Sequence, residues 1–159
     1  MRAGVLTISD RVSRGEAEDR SGDTLEELLR ADGYDVTRRL VPDEADEISA
    51  AIRELADETA LVLTTGGTGL AARDVTPEAT RSVLDREAPG IPEALRADSL
   101  AKTPHALLSR GVAGVHGRTL VVNLPGSPGG CRDGYAVLQP ALGHALGLLA
   151  EAETAHRQT

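Results

Sequence analysis

The sequence predicts an α/β domain, a three-layer α/β/α sandwich with a mostly parallel central sheet. Short aliphatic runs at residues 3–9 and 60–64 and an alternating stretch at residues 34–41 are typical of strands, and amphipathic stretches typical of helices lie between them. Strands that alternate with helices favour a parallel sheet with helices on both faces. Ligands of such sheets bind beyond the carboxyl ends of the strands, so we expect the site at that edge.

The first half of the chain alternates regularly between the two kinds of element. Leucines at helical spacing, followed by Gly33 as a stop, predict a helix over residues 22–32, and the polar segment 13–21 before it predicts a loop. A second helical face follows the second strand. Its apolar positions are Ile48, Ala51, Ile52 and Leu55.

The second half predicts three helices and a hairpin. Helices are expected over residues 77–87, 91–101 and about 130–150, and Pro140 predicts a kink or a split in the last one. Residues 103–110 are less regular and suit a helical turn. The segments 112–115 and 119–123 predict two strands of a hairpin, joined across His116-Gly117-Arg118.

Composition limits the classes of function. A chain of 159 residues fits one domain, which we assign to residues 1–159. The 25 acidic and 17 basic residues give a net charge of −8, which argues against nucleic acid as the main partner. The aromatic residues are two tyrosines, too few for platforms on which bases stack.

The cysteine count and the N-terminus favour a cytoplasmic protein. Cys131 is the sole cysteine, so no internal disulfide forms, which suits a reducing compartment. The first residues are too short in apolar length for a signal peptide, and no stretch approaches a membrane span. No histidine lies near Cys131 in the sequence, which disfavours a nucleophilic thiol, and the four histidines lack metal-ligand spacing.

The most informative stretch runs from Leu61 to Ala79. A buried strand enters Gly66-Gly67-Thr68-Gly69, and Thr76 then suits a helix N-cap with Pro77 at the first helical position. Free main-chain N–H groups beside a helix N-terminus favour a phosphate, and Asp74 is placed to hold the magnesium ion that accompanies it. The stretch therefore predicts a nucleotide site.

This glycine stretch matches neither common nucleotide motif. No Gly-Lys-Ser/Thr follows it, as in a P-loop, and it lacks the Gly-x-Gly-x-x-Gly spacing of dinucleotide folds. A structural turn is the alternative interpretation. Asp74 alone is equally consistent with a surface acid before a helix, and Asp43 with a helix cap.

Four segments follow predicted strands and are expected at one edge of the sheet. They are Asp10, Asp43, the glycine stretch and the rigid loop from Asn123 to Ser127. A second carboxylate beside Asp74 helps to hold magnesium against a triphosphate. Ser109-Arg110 is either a functional pair or a capped helix end.

The chain resembles the molybdenum-cofactor biosynthesis family of bacterial Mog proteins and the G domains of molybdopterin adenylyltransferase. The resemblance covers nearly the whole sequence, and a chance match to every motif in order is very improbable. The motifs are Thr7-Ile8-Ser9-Asp10-Arg11, Pro42-Asp43-Glu44, Thr64 to Gly69, Arg73 to Ala79, Leu108-Ser109-Arg110 and Asn123 to Pro128.

The resemblance implies a homotrimer that transfers AMP from Mg-ATP to the terminal phosphate of molybdopterin, with pyrophosphate released and the product handed to a molybdate-insertion enzyme. It implies Asp43 and Asp74 as the catalytic acids and Mg²⁺ ligands, acting directly or through water. The nucleotide- and pterin-binding residues that we predict are Ser9, Asp10, Gly66, Gly67, Thr68, Gly69, Thr76, Ser109, Arg110, Asn123, Pro125, Gly126 and Ser127.

Such a transfer requires alignment and charge neutralisation rather than a strong base, because the attacking group is already a phosphate anion. That requirement agrees with the absence of a predicted His or Cys catalytic pair. Two alternatives are a non-catalytic trimeric relative that binds pterin or acts as a scaffold, and a role in molybdate insertion or nucleotide hydrolysis. The two metal-type carboxylates argue against the scaffold.

Overall fold

The protein folds around one sheet with helices on both faces. The computed structural model describes residues 1–156, with side chains described as far as residue 151. The end of the predicted domain, residues 157–159, and the side chain of His156 lie outside this description. Within it, the strands are β1 (Arg2–Ile8), β2 (Asp35–Val41), β3 (Leu61–Thr65), β4 (Arg86–Glu87), β5 (Ala113–His116) and β6 (Thr119–Leu124), in the order β2-β1-β3-β6-β5-β4.

The sheet is mostly parallel. Strands β2, β1, β3 and β6 run in the same direction, whereas β5 and β4 are antiparallel to their neighbours. The predicted hairpin is therefore confirmed as β5–β6. Because the four parallel strands end at one edge, the residues that follow β1, β2, β3 and β6 are brought together there.

Two apolar layers hold the helices on the sheet. The helices are α1 (Asp10–Ser13), α2 (Arg20–Ala31), α3 (Ala45–Glu58), α4 (Thr76–Arg81), α5 (Gly90–Leu100), a 3₁₀ helix (Pro104–Leu108) and α6 (Pro128–His156). Leucines of α2 and α6 pack on one face against Val5 and Leu63, and α3 packs on the other against Leu6 and Val62. Alternate strand residues thus enter opposite layers. The predicted three-layer α/β/α sandwich is confirmed.

The predicted helix over residues 77–87 is wrong in its second half. Helix α4 ends at Arg81, and Arg86–Glu87 form the edge strand β4 instead. Strand β5 offers unpaired main-chain groups there, and they bond to the N–H groups of Asp85 and Ala88. Pairing with this sheet edge overrides the local helical pattern.

Two further expectations need correction. The predicted loop over residues 13–21 is shorter, because α2 begins at Arg20, where the Asp19 carboxylate accepts the N–H of Gly22. Pro140 does not split α6, which is one continuous helix. Leu138 and Leu142 anchor it to the sheet on either side of Pro140, which is itself exposed.

No helix within residues 1–156 is long and apolar enough to cross a membrane.

Candidate functional site

Two cavities open at the carboxyl edge of the parallel strands, on either side of the loop that follows β3. We call the first, of about 570 Å³, the acidic cavity, because Asp10, Asp43 and Asp74 line it together with Ser9, Gly66, Gly67 and Gly126. The second cavity, of about 370 Å³, is lined by Thr68, Gly69, Ser109, Asn123, Pro125 and Ser127, among others. The four segments expected at one edge of the sheet therefore meet there.

Each of the two predicted metal-binding acids lies against a glycine of the loop. A Cβ atom on Gly67 would lie 3.1 Å from Oδ1 of Asp43, and one on Gly69 would lie 2.9 Å from Oδ2 of Asp74. A side chain at either position would occupy the space beside a carboxylate. The glycines therefore allow both carboxylates to lie close to the main chain of the loop.

Gly66 turns the chain sharply at the end of β3. Its φ of +101° is a conformation that side chains rarely adopt, and a Cβ atom there would lie 2.3 Å from the carbonyl oxygen of Ile8. On the other side, a Cβ on Gly126 would lie 3.3 Å from the Cα of Gly66. The two main chains thus lie close together, and both glycines line the acidic cavity.

Thr76 supports the glycine loop instead of capping the helix that follows. The N-cap of α4 is Val75, which contradicts the predicted capping role. The fully buried Thr76 hydroxyl donates to the carbonyl oxygen of Gly66 at 2.9 Å, and its N–H donates to that of Gly67 at 3.1 Å. Two carbonyls of a sharply turned segment are satisfied in this way, which the spacing of Thr76-Pro77 did not reveal.

Asp43 and Asp10 join the ends of β2 and β1. The carboxylate of Asp43 accepts the N–H of Asp10 at 2.9 Å, and that of Asp10 accepts the N–H of Asp43 at 3.0 Å. Asp43 is therefore not the cap of α3, whose N-cap is Glu44. This reciprocal pairing fixes the main chain at both acids.

The electrostatics of the acidic cavity favour a cation. Burial raises the pKa of Asp43, and the negative charges of Asp10 and Asp74 raise it further, although the N–H of Asp10 opposes them. The pKa of Asp10 is lowered, chiefly by its hydrogen bonds with Arg73. Repulsion between partly buried carboxylates is relieved when a cation binds between them.

Arg73 links the glycine loop to both strand ends. Its Nε and Nη2 donate to the two carboxylate oxygens of Asp10 at 2.9 and 3.0 Å, and Nη2 also donates to Glu44 at 2.9 Å. The site predicted from the sequence did not include Arg73. Its position directly before Asp74 was the available signal.

Arg110 binds the same loop from the other side. Its Nε donates to the carbonyl oxygen of Gly69 at 2.9 Å, its Nη2 to that of Asp74 at 2.7 Å, and its Nη1 to the Glu78 carboxylate. Its main-chain N–H donates to Thr68 at 2.8 Å. Ser109 is the residue that ends the 3₁₀ helix, so Ser109-Arg110 serves both as a helix end and as an anchor for the loop.

Asp43 and Asp74 suit magnesium binding when substrate phosphates complete the set of ligands. No group of three or more His, Cys, Asp or Glu side chains is placed to hold a metal ion among the residues that the structure describes. Magnesium is commonly bound by one or two carboxylates together with substrate phosphates and water. Asp43 and Asp74, which line the same cavity, fit that pattern.

The second cavity combines apolar walls with cationic side chains. Pro92, Leu95 and Leu108 lie in its wall, and Arg96, Lys102 and His105 line it as well. Lys102 is paired with Asp98 at 3.1 Å and Asp133 at 3.3 Å. This lining suits a planar ring that carries polar groups.

Asn123 holds the floor of the second cavity. Its side-chain amide donates to the hydroxyls of Thr64 at 2.9 Å and Thr80 at 3.0 Å, and its oxygen accepts the N–H of Val112 at 3.1 Å. It is buried, so the amide joins β6 to β3, α4 and the segment before β5. Ser127 accepts the N–H of Gly130 at 3.1 Å, at the start of α6.

Cys131 lies in the core behind the loop and has no surface exposure. Burial raises the pKa of its thiol to about 11, and its sulfur contacts the Thr65 hydroxyl and the carbonyl oxygen of Pro125. A neutral, enclosed thiol is a poor nucleophile, so the structure offers no support for catalysis by Cys131.

Comparison with known proteins identifies the family of the chain. Residues 4–144 match a sequence family described as "Probable molybdopterin binding domain". The chain is 41% identical to gephyrin of Dictyostelium discoideum. The match covers 92% of this chain but only 22% of that protein. It is 40% identical to the molybdopterin adenylyltransferase of Helicobacter pylori strain J99, over 92% of this chain and 86% of that protein.

Among solved structures, the chain is similar to the molybdopterin biosynthesis enzyme MoaB of Thermus thermophilus. The two are 52% identical, with a TM-score of 0.87, over 93% of this chain and 95% of that one. Sequence and fold therefore agree on the same group of relatives.

Proposed function

The chain belongs to the family described as "Probable molybdopterin binding domain", and we propose that it is a molybdopterin adenylyltransferase of molybdenum cofactor biosynthesis. It transfers AMP from ATP to the terminal phosphate of molybdopterin and releases pyrophosphate. The name of the Helicobacter pylori relative supports this activity, as does its high coverage. The observation that carries the proposal is that Asp43 and Asp74 line one cavity, each with its carboxylate against a glycine of the same loop.

The chain supplies alignment and charge. Asp43 and Asp74 hold Mg²⁺, which when bound offsets the negative charge of the triphosphate. The main chain of Gly66 to Gly69 holds phosphate oxygens, because its glycines allow close approach. A phosphate oxygen of molybdopterin forms a bond to the α-phosphorus of ATP while the bond from that phosphorus to pyrophosphate breaks. The attacking oxygen is already anionic, so no side chain has to remove a proton.

The two cavities bind different parts of the substrates. The acidic cavity receives the metal-bound phosphates, and the second cavity, with its apolar walls, receives a planar ring. Gly66 and Gly126 both line the acidic cavity, so the reacting phosphates lie beside them. Residues proposed to bind nucleotide or pterin are Ser9, Asp10, Gly66, Gly67, Thr68, Gly69, Asn123, Pro125, Gly126 and Ser127.

The test is direct measurement of the reaction. Purified protein is incubated with molybdopterin, ATP and Mg²⁺, and pyrophosphate and adenylylated pterin are followed. We expect turnover that falls by about 10²-fold or more in Asp43→Asn and in Asp74→Asn, with pterin binding largely retained. Glu93→Gln, an exposed residue in the first turn of α5, is the control and should keep full activity. Wild-type activity in Asp74→Asn would remove this acid from the mechanism.

Three properties of the assembly belong to the same proposal. The enzyme works as a homotrimer in the cytoplasm and hands its product to a molybdate-insertion enzyme, since an activated pterin is prone to hydrolysis. Light scattering of the purified protein tests the trimer. Pterin binding without any product, under conditions where a known adenylyltransferase is active, would instead favour the non-catalytic scaffold.

A further inference from the structure

The loop that carries Asp74 is held at two points by arginines. Arg110 lies on the side of β5 and Arg73 lies within the loop itself. Both guanidinium groups are bound to protein atoms. Their contacts help to set the distance between Asp43 and Asp74, the two proposed metal-binding acids, which belong to different loops.

Arg110 fixes the main chain on both sides of the turn. It donates to the carbonyl oxygens of Gly69 and Asp74, which are the first and last residues of the segment that bends around the Asp74 carboxylate. The N–H of Ala71 donates to that carboxylate at 3.0 Å inside the bend. The planar fork of arginine is suited to two separate acceptors at once, which a lysine ammonium cannot match with the same geometry.

Arg96 supports Arg110 in turn. Its Nη1 donates to the carbonyl oxygen of Gly111 at 2.9 Å and approaches that of Ser109 at 3.5 Å, so both neighbours of Arg110 are held. Arg96 lines the second cavity and Asp74 lines the acidic cavity. The hydrogen bonds that run from Arg96 through Arg110 to Asp74 therefore connect the two cavities.

Arg73 connects the opposite end of the loop to Asp43. It holds both carboxylate oxygens of Asp10, and Asp10 exchanges two hydrogen bonds with Asp43. The path from Asp74 to Asp43 therefore runs through its neighbour Arg73 and through Asp10. The negative charges of Asp43 and Asp74 repel each other. Without the hydrogen bonds of Arg73 and Asp10, the two carboxylates would be free to move apart.

We propose that Arg73 and Arg110 are positioning residues that set Asp74 against Asp43, and that neither contacts substrate. This role rests on the proposed function of the two acids. Thr76 fixes the start of the loop, and the two arginines fix the rest of it. Ligand binding by Arg110 stays a prediction from the sequence, which the variants below distinguish from positioning.

Lysine substitutions separate the two roles. A lysine ammonium binds phosphate well as a point charge, but it cannot reproduce a two-acceptor fork. We expect Arg73→Lys and Arg110→Lys each to lower turnover by about 10-fold to 100-fold and to raise the half-saturating Mg²⁺ concentration, because supporting residues of metal sites have effects of this size. The KM for molybdopterin should change little.

Hydrogen exchange of the free protein is a second measurement that needs no activity. Main-chain amides of residues 66–76 should exchange faster in both lysine variants than in the wild-type protein. Arg81→Lys is the matched control, because Arg81 pairs with the exposed Glu87 and makes no described bond to the loop. It should leave exchange, turnover and Mg²⁺ dependence unchanged.

The outcomes decide between the alternatives. Full activity in both lysine variants, with unchanged exchange, would overturn the proposal. A raised KM for one substrate with normal exchange and normal Mg²⁺ dependence would also overturn it, in favour of direct ligand binding. If the wild-type protein shows no adenylyltransferase activity, the proposed function fails, and the exchange experiment still reports whether the arginines hold the loop.

Discussion

Asp10 and Asp43 each donate the main-chain N–H to the carboxylate of the other, at 2.9 and 3.0 Å, although 33 positions separate them in the sequence. The pair closes the gap between the ends of β1 and β2. Both acids line the acidic cavity, and the carboxylate of Asp10 also binds Arg73. A supporting acid and a proposed metal-binding acid are thus parts of one hydrogen-bonded unit.

Replacement of Asp10 should weaken metal use by the enzyme. In Asp10→Ala the Asp43 N–H and the Arg73 guanidinium both lose an acceptor, so we expect the half-saturating Mg²⁺ concentration to rise about 10-fold. Activity as a function of Mg²⁺ at saturating ATP is the measurement. Asp46→Ala, in the first turn of α3, is a control of equal charge. An unchanged Mg²⁺ curve in Asp10→Ala would show that Asp43 needs no such support.

Alanine substitutions of two loop glycines should have opposite profiles. Gly66→Ala places a Cβ 2.3 Å from a main-chain oxygen at a φ of +101°, so we expect a loss of more than about 2 kcal/mol in the free energy of unfolding. Gly69→Ala meets only the Asp74 carboxylate, at 2.9 Å, which can move aside. It should keep its melting temperature but lose roughly 10-fold in turnover.

The control for both glycine variants is Gly143→Ala in α6. Nothing lies within 4 Å of a Cβ at that position, and alanine is the better helix former by up to about 1 kcal/mol. Gly143→Ala should therefore be as stable as the wild-type protein or more stable. Equal melting temperatures for Gly66→Ala and Gly143→Ala would contradict the close approach of Gly66 to Ile8.

Asn123 should contribute more to stability than its place in a cavity wall suggests. Asn123→Ala leaves the Val112 N–H and the Thr64 and Thr80 hydroxyls without the partner they have now, at a cost of about 2 kcal/mol. Urea unfolding measures it. Gln139→Ala, at an exposed position within α6, should change stability by less than about 0.5 kcal/mol. A neutral Asn123→Ala would contradict the structural role of the amide.

Stability should fall as the pH rises from about 9 to about 11. The folded protein raises the pKa of Cys131 from its usual value near 9 to about 11, because the buried thiolate is desolvated. The contribution is complete below pH 9 and is lost as the pH rises through 11, at roughly 2 to 3 kcal/mol. Burial also raises the pKa of Tyr135.

Urea unfolding at pH 8, 9, 10 and 10.5 tests this dependence, with Cys131→Ala as the comparison. The variant should be less stable at pH 8 but should lose less stability with rising pH. Native Cys131 should also resist iodoacetamide at pH 8 and react once the protein is unfolded. Rapid alkylation of the folded protein would show that the thiol is accessible.

Local patterns in the sequence identified most elements and pointed to the candidate site. Aliphatic runs placed β1 and β3, because buried parallel strands are continuously apolar, and alternation placed the edge strand β2. The helical spacing of leucines placed α2, α3 and α6. Glycine-rich and acidic segments after strands indicated the site, because parallel strands bring their carboxyl ends to one edge. Strand β4 was missed since two residues carry no pattern, and only pairing with β5 creates it.

Contacts between distant segments decided the rest. Thr76 was expected to cap α4, but a hydroxyl bonds to whichever acceptor the fold brings near, and that is the carbonyl oxygen of Gly66. Arg110 lies 36 residues from Asp74, so no spacing rule predicts their bond. The same holds for Arg73 and Asp10.

The sequence by itself determined the fold class and the family and led to the proposal of the two acids, because those inferences depend on residue types at short spacing along the chain. The tertiary structure alone decided that Asp43 and Asp74 lie against two glycines of one loop, and that arginines hold this loop. Hydrogen bonds and close approaches of this kind join residues that are near in space and far apart in the sequence, and only the folded chain fixes those distances.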